Sequence, residues 1–149
     1  MKKLLLLTTI LSLNACSATG PVYNGNEQGN VVIYRPQHLF ASEAYAPIEI
    51  NGLKCNLADG GFFITNINKT SEIISHQWLT PGTSRLIIKP GSFIRVEIDS
   101  GRAIATVLGG ATGNIIHEQS TGSGQYMLSD IPVDIAKQEL KGLHEDCAQ

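Results

Sequence analysis

Cysteine, histidine, serine and paired carboxylates are the side chains from which a reactive site would be built, and in this chain of 149 residues they are few and far apart. The four histidines, His38, His76, His117 and His144, are separated by 38, 41 and 27 residues, so no helix face or finger-type spacing brings two of them together as metal ligands. Solvated or hydrogen-bonded imidazoles are the simpler reading. Gly122-Ser123-Gly124 lacks the five-residue elbow of a nucleophilic serine and has no strand-to-helix context around it. The glycines of 109–113 and 122–124 lack the Lys-Ser/Thr pair of a phosphate loop. Asp130 and Asp134 read as charges at a helix start, where the dipole favours them, and Glu145-Asp146 as a solvated chain end. No catalytic residue, metal ligand or cofactor is expected, although a triad assembled in space leaves no such trace in sequence.

The three cysteines carry more positional information. Lys2 and Lys3 precede an uncharged run of 12 residues, Leu4 to Ala15, which ends at Cys16. A positive start, a short apolar run and a small residue before the cut form a secretory signal. Twelve helical residues rise about 18 Å, short of a bilayer's apolar thickness, so the run does not span a membrane. Leu13-Asn14-Ala15-Cys16 resembles the lipobox of bacterial lipoproteins, with Asn14 a less usual occupant of its place. The resemblance implies that Cys16 receives a diacylglyceryl group and becomes the first residue of the mature chain. It also implies outer-membrane sorting, because Ser17 rather than Asp follows. An ordinary signal peptide ending at Asn14-Ala15, with Cys16 incidental, is the alternative.

Loss of residues 1–15 removes two lysines from a chain whose formal charge is already −2, leaving the mature protein more acidic. Only 16% of residues are charged, well below the roughly 25% of an average globular protein, which argues against a nucleic-acid partner. Residues 16–29 are rich in Ser, Gly, Pro and Asn and read as a flexible tether. Residues 30–149 then form one domain. With Cys16 acylated, Cys55 and Cys147 remain in an oxidising compartment, and even arithmetic favours a disulfide between them. Two free thiols, one buried in a strand and one in a frayed tail, are the alternative.

The elements that must position these residues are mostly strands. Short β-prone runs recur between turn signals from Asn30 to Asp99, the rhythm of an antiparallel β-sandwich. Val31 to Arg35 is stopped by Pro36. Ile48-Glu49-Ile50 and Leu53 to Leu57 flank Asn51-Gly52, a pair suited to the positive φ angles of a two-residue hairpin turn. Phe62 to Ile67, Ser71 to Trp78, Thr83 to Ile88 and Ser92 to Asp99 follow, the last two after Pro-Gly turns, giving about seven strands. Residues 103–116 are uncharged and glycine-interrupted, and strand plus loop, weak helix and membrane contact all remain open. Val133, Ala136, Leu140 and Leu143 recur at spacings 3, 4 and 3 and predict an amphipathic C-terminal helix of about three turns. Ser129 or Asp130 can cap it, Pro132 suits its first turn and Gly142 lies near its end.

Val31-Val32-Ile33-Tyr34-Arg35-Pro36, Ile48-Glu49-Ile50-Asn51-Gly52, Leu57 with Gly60-Gly61-Phe62-Phe63, and the Pro-Gly turns together resemble a group of bacterial envelope lipoproteins of unknown function whose small β-domain is of the PEGA type. The likeness runs from about residue 30 to 140. It implies fold and location, and none of its motifs is catalytic. The expectation is a non-enzymatic lipoprotein on the periplasmic side of the outer membrane, a structural or interaction module with an envelope protein partner. A periplasmic binder of a small apolar or glycan ligand is the second reading, and a hydrolase the third.

Overall fold

The computed structural model describes residues 20–25, 30–38, 45–76, 82–98 and 126–147. Cys16, His117, Ser123 and the stretch 103–116 lie outside the described residues. Among the described residues, nine strands and one helix follow in order: β1 Val31–Tyr34, β2 Ala46–Ile50, β3 Leu53–Leu57, β4 Gly61–Thr65, β5 Ser71–His76, β6 Thr83–Ile88, β7 Phe93–Ile98, β8 Tyr126–Asp130, α1 Val133–Glu139 and β9 His144–Glu145. All seven strands expected from the sequence are present, and β8 and β9 are additions in the C-terminal third.

The strands form two sheets, a five-stranded one in the order β8-β7-β1-β4-β9 and a four-stranded one in the order β3-β2-β5-β6. The four-stranded sheet is antiparallel throughout. The five-stranded sheet is mixed: β1 runs antiparallel to β4 but parallel to β7, and β9 runs parallel to β4. This modifies the expected antiparallel arrangement. Parallel neighbours are joined by long crossovers, and here the chain visits the other sheet between β1 and β7 and passes through α1 before β9.

Three layers result. The apolar cluster between the sheets includes Val31, Ile33, Ile48, Ile50, Leu57, Phe63, Ile73, Ile88, Ile94 and Val96. A second cluster, Val32, Tyr34, Phe62, Phe93, Ala136, Leu140 and Leu143, lies between the five-stranded sheet and α1. Consecutive residues of β1 therefore point into different cores, and all four are buried. That is why β1 is an unbroken apolar run, whereas β2 alternates as a strand with one covered face must.

At the Asn51-Gly52 hairpin φ is 49° and 81°, the left-handed pair the turn requires. α1 spans seven residues, two turns rather than the expected three, and Pro132 is its N-cap with no side-chain capping bond. Asp130 is instead engaged by Ser92, whose hydroxyl donates to its carboxylate at 3.2 Å. Ala136, Leu140 and Leu143 of the expected stripe are buried, while Val133 is half-exposed at the first turn and belongs to neither apolar cluster. After the helix, Leu143 N–H donates to the Leu140 carbonyl and Gly142 adopts a φ of 85°, which turns the chain into β9.

Candidate functional site

Polar and sulfur contacts converge where the chain passes from one sheet to the other at residues 58–61 and where the C-terminus returns to it. Gly60, with φ of 71°, makes the corner between β3 and β4. Asp59, just before it, is buried and accepts from the His38 backbone N–H at 3.0 and 3.2 Å. The fully buried Arg35 guanidinium lies 3.5 Å from the same carboxylate. It also lies 5.8 Å from the centre of the Tyr126 ring. Burial lowers the pKa of the guanidinium, and the neighbouring Tyr126 and Asp59 oppose that shift. Burial raises the pKa of Tyr126. The Tyr126 hydroxyl donates to the Tyr45 carbonyl at 2.9 Å, and the Ser84 hydroxyl donates to the Tyr126 carbonyl, closing the corner between β6 and β8.

His38 Nδ1 lies 3.4 Å from Asp59, with the imidazole about one-third exposed. An aspartate can orient an imidazole for base catalysis, but that chemistry also needs a nucleophile against the free ring nitrogen. Among the described residues no hydroxyl or thiol is hydrogen-bonded to His38. What the group does visibly is fix the exit of β1: Asp59 holds the backbone of His38, and the Arg35 N–H donates to the Gly61 carbonyl at 2.9 Å.

The C-terminus docks beside this corner. His144 N–H donates to the Gly60 carbonyl at 3.1 Å and Asp146 N–H to the Phe62 carbonyl at 2.8 Å. Gly61 admits this approach, since a Cβ there would lie 3.0 Å from the Ala58 carbonyl and 3.4 Å from the Asp146 Cβ. Cys55, buried on β3, and Cys147 are brought together with Cα atoms 5.1 Å apart and a sequence separation of 92, within the span a disulfide bridges. Cys147 also packs against the inter-sheet core. Asp146 has its pKa raised by burial, partly offset by the backbone N–H of Ala58.

Residues 20–23, read from the sequence as part of a flexible tether, are bound on the outer side of β9. Val22 forms an antiparallel bridge with His144. Tyr23 stacks edge-on against Phe62 with ring centres 5.4 Å apart. The composition of the segment gives little sign of this. Its partner strand is only two residues long, and the bulky pair Val22-Tyr23 is the one signal the sequence carries.

A second polar group fastens α1 to the sheet. The Tyr34 hydroxyl donates to Glu139 at 2.6 Å and Arg95 reaches the other Glu139 oxygen at 2.8 Å and Glu97 at 3.1 Å. Burial and the carboxylate acceptor raise the pKa of Tyr34 far above the usual phenol range. On the exposed face of the four-stranded sheet His76 meets Glu49 at 3.1 Å and Arg85 meets Glu72 at 3.0 Å. These are cross-strand pairs of a solvated surface. Among the described residues, no group of three His, Cys, Asp or Glu is placed to hold a metal ion. No family model, curated protein or solved structure matches the chain.

Proposed function

We propose that this protein is a lipoprotein anchored through Cys16 to the periplasmic face of the outer membrane, serving as a non-catalytic structural or interaction module of an envelope complex. The observation that carries the reading is the lipobox-like Leu13-Asn14-Ala15-Cys16 at the end of a leader too short to span. Docking of residues 20–23 on β9 is consistent with it, because the folded domain then begins within a few residues of the acylated cysteine. The Cys55–Cys147 pairing fits an oxidising compartment. The resemblance of residues 30–140 to envelope lipoproteins with a PEGA-type domain points the same way.

A partner protein would meet the four-stranded sheet at β3, which pairs with β2 on one side only among the described residues. An edge strand offers unpaired backbone groups to an added strand. Affinity purification of the tagged, full-length protein from detergent-solubilised envelopes tests this. Recovery of the same envelope protein from wild type, and its loss when Asn56→Pro blocks the β3 edge of a stably folded variant, is expected. Repeated recovery of the protein alone contradicts the reading.

A further inference from the structure

The docked N-terminal segment determines where the domain can sit. Glu145 N–H donates to the Pro21 carbonyl at 2.6 Å, Tyr23 N–H donates to the Leu143 carbonyl at 3.0 Å, and His144 Nδ1 lies 2.7 Å from the Gly20 carbonyl oxygen. Residues 20–23 thus run antiparallel beside β9, joined to it by the bridge of Val22 to His144. A Cβ at Gly20 would collide with the backbone carbonyl of Glu145, so the approach depends on glycine. Val22, bridged to His144, leaves half of its apolar surface exposed on the same segment. Behind the strand, β9 is held on its other side by β4, and the Cys55–Cys147 pairing fastens the chain two residues beyond Glu145.

Cys16 precedes Gly20 by four residues, which can reach about 14 Å when fully extended. Were the segment free as far as residue 30, fourteen residues would reach about 50 Å. We propose, resting on the Cys16 anchor, that the outer edge of β9, where Gly20 meets Glu145, is a bilayer-facing surface, held within about 14 Å of the headgroups by residues 20–23. The occupant of that surface is the bilayer itself. So short a connection leaves no gap for another folded domain between that edge and the bilayer.

Neutron reflectometry on the lipidated full-length protein in supported bilayers of phosphatidylethanolamine and phosphatidylglycerol measures the gap directly. Wild type should show a water layer no thicker than about 14 Å. A flexible Gly-Ser insert of about ten residues after Ala18, which leaves the domain untouched, should widen it by about 15–20 Å. Gly20→Val should widen it as well and speed exchange of the Tyr23 and Glu145 amides at least tenfold. A wild-type gap well above this limit, a gap indifferent to the insert, or equal amide exchange in wild type and Gly20→Val overturns the seating. Acyl mass on Cys16 in the same sample separates the two levels. A lipidated protein with a wide gap refutes the seating alone, whereas an unacylated Cys16 refutes the anchor and the seating with it.

Discussion

Asp59 is the residue on which most of the corner between the sheets converges, because its carboxylate faces a buried guanidinium and a backbone N–H at once. Removing one partner of a buried ion pair leaves the other charge desolvated and uncompensated, which costs about 3–5 kcal/mol. Asp59→Ala is therefore expected to lower the unfolding free energy by about that amount in a urea titration, while replacing Arg35 and Asp59 together by apolar residues costs markedly less. Asp146 makes a different prediction. Burial raises its folded-state pKa above the ordinary 3.8, so the native protein holds a proton that the unfolded chain has already lost. Its contribution to stability is fully present below that ordinary value and is lost as pH rises through the folded-state pKa. Relative to wild type, Asp146→Asn should gain stability between about pH 3 and neutrality, and urea midpoints measured across that range check the sign. A difference that is flat with pH contradicts it.

At the scale of elements, the strands from β1 to β7 were legible because each carries its own local signal. Asn51-Gly52 specifies a hairpin through backbone sterics alone, and Pro-Gly turns separate the later runs. The parallel placement of β1 beside β7 was not legible, since parallel pairing is settled by distant segments sharing a core. β9 escaped because two residues, His144 and Glu145, have no periodicity to detect. The spacing of α1 predicts burial at Ala136, Leu140 and Leu143, where it is found, and also at Val133, which is half-exposed, since spacing alone does not show where the covering sheet ends. The Arg35–Asp59 pair had no sequence signature at all: an arginine at a strand end and an aspartate in a glycine turn are each ordinary on a surface. The two cysteines, by contrast, are matched by their number and the expected compartment. A bridge there closes a loop over a sequence separation of 92, and Cys147→Ala should cost about 2–4 kcal/mol by releasing the unfolded chain. That corresponds to a melting point lower by about 5–15 °C. Thiol titration of denatured, unreduced protein should find neither cysteine reactive. Two free thiols per molecule would contradict the bridge and leave β9 held by its hydrogen bonds and the Leu143 contact alone.

At the scale of the whole molecule, the proposed anchor at Cys16 and the docking of residues 20–23 beside β9 belong to one arrangement, in which the tethered end of the domain stays close to the bilayer. Cys16→Ser should abolish acylation and move the protein out of the outer-membrane fraction, because the apolar leader is too short to hold a bilayer by itself. Under the proposed anchoring, three acyl chains, at about 0.8 kcal/mol per buried methylene, would make attachment effectively permanent. Intact-mass spectrometry of the protein purified from isolated outer membranes decides whether Cys16 is the anchor. The expected product is a chain beginning at Cys16 and carrying the mass of a diacylglyceryl group and an amide-linked acyl chain. A chain cut at the same place with an unmodified cysteine, or one retaining residues 1–15, would contradict it.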